Sequence, residues 1–458
     1  MGTSSSGASG ARPVLFVARE PDETLRTFLP VIDSLHDEHR LTSRVLFHHT
    51  PGAWARDELA TRGVPCDEVT LTAGLLPRRL ATARGARTVD EVWRLRQARE
   101  LARAALARHQ PSAVVVIQDT LLLERFLVRA ANEAGLPTLV VQWAFSYPQT
   151  MYDRLRTIQY ARSQTSVRGL PRRLLAPLTS GLYRSALRGL GLGFDLVNSY
   201  GGGEAKLFAV MGEAFREQFV TQGVRGKRIV VTGHPTHDAV FRRAATFDAE
   251  ARRRTRATHG LSMARTLVLY ATQPVLWRKV LTKAALERNV RAMAAAVARQ
   301  PGCELVLKLH PREDPADYAF CATLDPPVTV IAQAEMPELI AASDLFISSS
   351  SSTVLLAMML DRPIVTVNFD AVPHFDQFEP IGGTLHVRTH AAFEEAIGSL
   401  LTDREAAASL AHDRARVVER YTRYDGHAAK RIANLIAEAG AAPSQRPKDE
   451  PIAAEVGG

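Results

Sequence analysis

Ser343-Asp-Leu-Phe-Ile-Ser348-Ser-Ser-Ser-Ser352-Thr353-Val-Leu-Leu-Ala-Met-Met-Leu360-Asp-Arg-Pro363-Ile-Val-Thr-Val-Asn-Phe369 is the stretch on which the fold turns. Residues 345–347 are a short apolar run with β-branched and aromatic members, the pattern of a buried parallel strand. Residues 353–360 are apolar almost all round, which predicts a buried helix. Pro363 stops that helix and a second apolar strand begins. Strand, small-residue turn, helix and strand make one unit of an α/β parallel sheet. Serine hydroxyls and unpaired backbone N–H groups then meet at a helix start, where orphan donors and the helix dipole favour an anion, most often phosphate. The same serines also suit a plain N-cap that binds nothing.

A second stretch, Glu304-Leu-Val-Leu-Lys308-Leu-His310-Pro311-Arg312-Glu313-Asp314, reads as a strand that ends in a basic loop. In open α/β sheets that carboxyl edge is where ligands bind. Lys308, His310 and Arg312 are placed to face a diphosphate that Ser349, Ser350, Ser351, Ser352 and Thr353 hold from the other side. Two anion-friendly elements in one βαβ series predict a nucleotide-diphosphate site.

Outward from here, the 458 residues divide into two halves of similar βα rhythm. Residues 1–12 read as a flexible lead. Residues 13–240 alternate strands (14–18, 44–49, 113–117, 138–143) with helices (24–36, 53–62, 89–108, 121–134), as in a Rossmann-like domain. Residues 204–211 read as a short helix and 194–199 and 228–233 as strands. An insertion at 146–193 breaks the rhythm. It is basic and leucine-rich together, which suits either a helical arm on a membrane surface or a helical element packed between domains. Residues 241–265 form a connector. Residues 266–440 make the second Rossmann-like domain and 441–458 a disordered tail.

The net charge of +9 and pI near 9.7 are concentrated in places. Nine arginines lie between positions 78 and 108, and eight between 154 and 188 with no acid among them. Such patches suit an anionic partner or a solvated surface. Cys66, Cys303 and Cys321 have no paired spacing, which points to a reducing, cytoplasmic setting and away from a disulfide framework or a cysteine zinc site. There is no apolar run of the ~18 residues a membrane span needs.

Four motifs carry a family resemblance: Thr232-Gly233-His234-Pro235-Thr236-His237-Asp238; Lys308-Leu309-His310-Pro311; Ser343-Asp344 with residues 348–353; and Tyr424-Asp425-Gly426-His427 with Lys430-Arg431. In their order and spacing the chain resembles the GT-B glycosyltransferases that sit alongside the UDP-N-acetylglucosamine 2-epimerases and the capsule and teichoic-acid polymer transferases. The resemblance spans residues 13–440. It implies two Rossmann-like domains facing across a cleft, with the donor nucleotide on the second and the acceptor on the first. It implies no metal and no cofactor besides the nucleotide-sugar donor. His310 and residues 349–353 would contact the donor phosphates, with Thr272 and Gln273 beside them and Gly233 and His234 in a hinge loop near the nucleotide. Lys308 shares His310's side of the strand but lies deeper.

Two positions depart from the relatives. Gln142-Trp143-Ala144 stands where they show Gln-His-Gly or Trp-His-Gly, so a histidine base cannot be carried over. Leu355, Leu356 and Ala357 stand where epimerases carry acids. A base for an inverting transfer is then sought among acids that follow strand ends, namely Glu20, Asp22 and Asp119, the last equally suited to cap a helix. The function expected is transfer of a sugar from a nucleoside-diphosphate donor to a glycan, lipid-linked or small-molecule acceptor. The alternatives are a 2-epimerase, a CDP-alcohol phosphotransferase and a non-catalytic nucleotide binder. The other partners expected are an anionic membrane surface at the inner face and a second copy of the chain, with no nucleic acid.

Overall fold

The computed structural model describes residues 12–19, 21–71, 84–145, 185, 187–194, 200–276 and 278–441. The expected lead and tail, most of the 146–193 insertion and most of the 194–199 strand lie outside the described residues. Two sheets carry the chain. The first contains β1 (Val14–Ala18), β2 (Ser43–Phe47), β3 (Cys66–Glu68), β4 (Ala113–Val116), β5 (Thr138–Val141), β6 (Leu207–Val210) and β7 (Ile229–Val231), in the order β3-β2-β1-β4-β5-β6-β7. The second contains β8 (Thr266–Ala271), β9 (Cys303–Lys308), β10 (Thr329–Ile331), β11 (Leu345–Ser348), β12 (Ile364–Val367) and β13 (Leu385–Val387), in the order β10-β9-β8-β11-β12-β13. All their pairings are parallel. The central strands are buried on both faces, as their unbroken apolar runs require.

Helices cover both faces of each sheet. They are α1 (Pro21–His39), α2 (Ala53–Thr61), α3 (Arg84–His109), α4 (Leu122–Glu133), α5 (Glu213–Thr221), α6 (Pro235–Thr246), α7 (Ala249–Thr258), α8 (Lys283–Ala298), α9 (Met336–Ala342), α10 (Thr353–Met359), α11 (His390–Thr402), α12 (Arg404–Tyr421) and α13 (Ala428–Ala441). Each sheet has an apolar core on each face. The expected connector resolves into α6 and α7, with Asp248 capping α7 by accepting from the Ala251 N–H at 2.7 Å.

Three features differ from the sequence reading. Residues 204–211 form no helix: Leu207–Val210 is strand β6, paired with β5 and β7. A four-residue apolar run carries no period that separates strand from helix, and burial between two neighbours decides it. Strand β3 was not expected, because Cys66-Asp67-Glu68 is a polar edge strand without an apolar signature. Finally, the chain's end does not stay with the second sheet. Helix α13 buries Ala429, Ile432, Ala433 and Ile436 in the core that β1 and α1 share.

Two of the motifs hold that return crossing. Asp238 is buried, and its carboxylate accepts from the Ala428 and Ala429 N–H groups at 2.9 and 2.8 Å, which caps α13. Arg431 forks onto Asp425 at 2.8 Å and donates to the Thr232 carbonyl at 2.8 Å. A third motif is also structural. Asp344 accepts from the Leu267 N–H and from the buried Arg256, which donates as well to the carbonyls of Ala342, Ser262 and Arg265.

Candidate functional site

The carboxyl edges of the two sheets face each other. Glu23 opens α1 just beyond β1, Arg312 follows β9, and their side chains lie 3.9 Å apart across the gap. At the bottom of the gap Phe145 packs on Phe378 of the second half and Phe215 of the first, at 5.2 and 5.0 Å between ring centres.

His310 ends β9 at this edge, half-buried. Its Nδ1 accepts from the Arg312 N–H at 3.1 Å. In the neutral ring the proton therefore sits on Nε2, which is left to donate to a phosphate oxygen. Burial, then Arg312, Arg278 and Lys308, lowers the imidazole to about 4, so the ring is neutral at pH 7. Glu313 fixes this loop from behind. Its carboxylate accepts from the His310 N–H at 3.0 Å, from the Tyr318 hydroxyl at 2.6 Å and from Thr272 Oγ1. Glu313 was not singled out in the sequence, although an acid in a basic loop is itself a signal of an inward anchor.

Lys308 occupies a different place from the one expected. It is buried, and its Nζ donates to the carbonyls of Leu309 and Ala332 at 2.7 and 3.2 Å. It braces β9 against the loop after β10 and does not face the gap, because the strand carries its side chain into the layer beneath. Thr272 is likewise an anchor, bound to Glu313 and close to the Lys308 carbonyl.

The serine turn lies beside this loop. Ser348, Ser349 and Ser350 are buried, Ser351 and Thr353 half-buried, and Ser352 exposed. Ser349 hydrogen-bonds Tyr270. Gln273 fills the turn: with its amide turned so that donors meet acceptors, its oxygen accepts from the Ser350 and Ser351 N–H groups at 2.7 and 2.6 Å and its nitrogen donates to Ser350 Oγ at 2.9 Å. Gln273 thus takes the position of the anion expected at two of these N–H groups. What remains open is the later part of the turn. Ser352 and Thr353 line the cleft, and Thr353 Oγ1 is buried there without a partner.

The cleft measures about 1130 Å³. Trp143, Phe145 and His234 line its depth, and α1, α6 and α13 its length. Gly233 adopts φ +84, and a Cβ there would stand 2.5 Å from the Arg423 carbonyl, so glycine is required where the two halves cross. His234 is buried, accepts from the Thr236 N–H at 3.3 Å, and is lowered to about 4 by burial.

Of the three acids expected to serve as a base, Asp119 is not available. It is fully buried, and it accepts from the Gly203 and Ala205 N–H groups at 3.0 and 3.1 Å and from Arg228 at 3.3 Å. A strand-end acid has become the anchor of a neighbouring loop. Asp22 is exposed in the first turn of α1, and Glu20 lies outside the described residues. Among the described residues, Asp376, Glu379 and His386 could together hold a metal, but Arg388 already bonds both carboxylates.

A family model described as CDP-glycerol:poly(glycerophosphate) glycerophosphotransferase matches residues 209–438. No curated protein matches the sequence. Among solved structures the chain is similar to a UDP-GlcNAc 2-epimerase from Neisseria meningitidis bound to UDP-GlcNAc, at 15% identity over 93% of this chain and 100% of that one, with a TM-score of 0.57. It is similar to the glycotransferase of kitacinnamycin at 16% identity over 93% and 99%, with a TM-score of 0.59. It is similar to the wall teichoic acid polymerase TagF with CDPG at 13% identity over 94% and 89%, with a TM-score of 0.53. At such identities the likeness is one of fold, and that fold is GT-B.

Proposed function

The chain belongs to the CDP-glycerol:poly(glycerophosphate) glycerophosphotransferase family and is a transferase, and from that premise we propose that it moves an alcohol phosphate from a CDP-activated donor to a hydroxyl of a polymer or lipid-linked acceptor. One observation carries the reading: the matched residues contain both the His310 loop, whose neutral ring keeps an Nε2–H to donate, and the serine turn, of which Ser352 and Thr353 line the cleft. Attack by the acceptor oxygen leaves charge on the departing nucleotide. Preorganised donors aimed at that charge lower the barrier, one such group typically by about 3–4 kcal/mol. In this reading the chain needs no cofactor and no metal besides the donor. It works in the cytoplasm, and its basic arginines meet an anionic acceptor or the inner membrane face. No helix among the described residues is long and apolar enough to cross a membrane.

Sugar transfer from a nucleoside-diphosphate sugar is the second reading. It rests on the fold neighbours solved with UDP-GlcNAc or UDP. One assay separates the two. The full chain is incubated with CDP-glycerol or with UDP-sugars, each with and without a glycerophosphate-polymer acceptor, and the released nucleotide is identified. CMP released only with acceptor supports the proposal, and UDP supports the second reading. Turnover of UDP-GlcNAc without acceptor means an epimerase, and no binding of any nucleotide refutes both.

A further inference from the structure

The carboxyl edge of the first sheet holds a polar cluster that the donor site does not use. Strand order places β1 between β2 and β4, so successive connections leave β1 in opposite directions. Such a reversal opens a crevice beyond the strand end, and ligands of open α/β sheets bind there. Three segments meet at it: Arg19 after β1, His48 and His49 after β2, and the first turn of α4 after β4. Glu124 lies in that turn, fully buried, and neither carboxylate oxygen has a hydrogen-bond partner. His48 Nε2 stands 3.5 Å from Glu124 Oε1 and has no hydrogen-bond partner. The His48 side chain retains 9% exposure and that of Glu124 none.

A leucine would fill the space of Glu124 at lower cost, because an unmatched buried carboxylate destabilises a fold. Burial raises the Glu124 carboxyl to about 7. Burial, with Arg19 and His49 adding to it, lowers the His48 imidazole to about 4. Arg19 and His49 are the other charged or titratable groups that act on the pair. The cluster lies at the carboxyl ends of β1, β2 and β4, the same sheet edge from which Glu23, four residues after Arg19, reaches Arg312 of the donor loop. Asp119, the other acid beyond β4, is held by backbone N–H groups.

We propose that His48 is the catalytic residue that takes the proton of the acceptor hydroxyl, and that Glu124 is the positioning residue behind it. This deepens the function proposed above and rests on it. The acceptor oxygen forms a bond to the phosphorus of the donor's alcohol phosphate. The bond from that phosphorus to the bridging oxygen breaks, and its electron pair leaves with CMP. The hydroxyl proton passes to His48 Nδ1. The Nε2–H then points at the Glu124 carboxylate, which stabilises the imidazolium, the logic by which an orienting acid assists a histidine base.

The test uses the full chain with CDP-glycerol and acceptor. His48→Gln should lower kcat by roughly 100-fold or more while KM for the donor and CDP affinity stay at wild-type values. Glu124→Gln should lower kcat by about tenfold and remove the inflection near neutral pH from the rate profile, which a merely structural role would leave in place. Turnover by His48→Gln within about threefold of wild type overturns the proposal. A second measurement needs no turnover. Imidazole nitrogen NMR of the wild-type chain should show His48 neutral at pH 7 with its proton on Nε2, and a proton on Nδ1 overturns the assignment. Should the wild-type chain release no CMP, the functional reading fails, and the NMR result still decides the pair.

Discussion

Replacing Glu313 separates the site's support from its chemistry. Glu313 does not line the cleft, yet three donors converge on its carboxylate. In Glu313→Ala the His310 N–H keeps Thr272 Oγ1 at 3.0 Å, and the Thr272 hydroxyl turns to the Lys308 carbonyl at 3.2 Å. The Tyr318 hydroxyl, on a residue only 2% exposed, has no such fallback. A stranded buried hydroxyl costs ~1–3 kcal/mol, and the vacated space adds to it, so a loss of about 2–4 kcal/mol is expected. Glu313→Gln can place its oxygen toward the His310 N–H and its amide toward the Tyr318 oxygen, and should lose under about 1 kcal/mol. Without its anchor the His310 loop no longer presents Nε2–H, and about 1.4 kcal/mol of lost contact weakens CDP binding about tenfold. Burial also raises the Glu313 carboxyl. The fold therefore favours its protonated form: that stability is present below the unfolded carboxyl range and is lost as pH rises through the folded value, a slope that glutamine removes. Urea denaturation and calorimetric titration with CDP read both effects. An alanine variant with unchanged stability and affinity, or a glutamine variant as damaged as alanine, would remove Glu313 as the anchor of the loop.

Asp119→Asn should destabilise the first half by about 2–4 kcal/mol in urea, because an amide donor must face a backbone N–H, while specific activity of the folded fraction stays near wild type; a large fall in kcat at unchanged stability would restore Asp119 as the base. Gly233→Ala forces a Cβ against the Arg423 carbonyl at a positive φ and should cost about 1–3 kcal/mol in thermal or urea unfolding; an unaffected variant would mean that the crossing is looser than described. Chelation with EDTA should leave turnover unchanged, and loss of activity restored by magnesium would introduce a metal into the mechanism.

What the sequence disclosed follows from the physics of each element. Residues 345–347 and 113–116 are unbroken apolar runs, and burial on both faces leaves such strands no other composition. β6 is as short and as apolar as these, and such a run does not by itself separate a strand from a buried helix segment; its pairing with β5 and β7 settles its type. The place of His310 just beyond β9 was legible because Pro311 ends its strand at the sheet edge. Lys308 was not, since alternation gives a side of the strand but not the carbonyls of Leu309 and Ala332 that capture the amine. The roles of Asp238 and Arg431 join residues about two hundred positions apart, and no local signal discloses such a pairing. Glu124 and His48 escaped notice for the same reason: they meet only when β2 and β4 flank β1.

If the second half grips the donor's phosphates through the His310 loop, calorimetric titration of CDP separates the wild-type chain from His310→Ala. Loss of a hydrogen bond to a charged group, ~1.5–3 kcal/mol, predicts binding about ten- to a hundredfold weaker in the variant. Equal affinity in the two proteins, or a wild-type chain that binds no nucleotide, would contradict it.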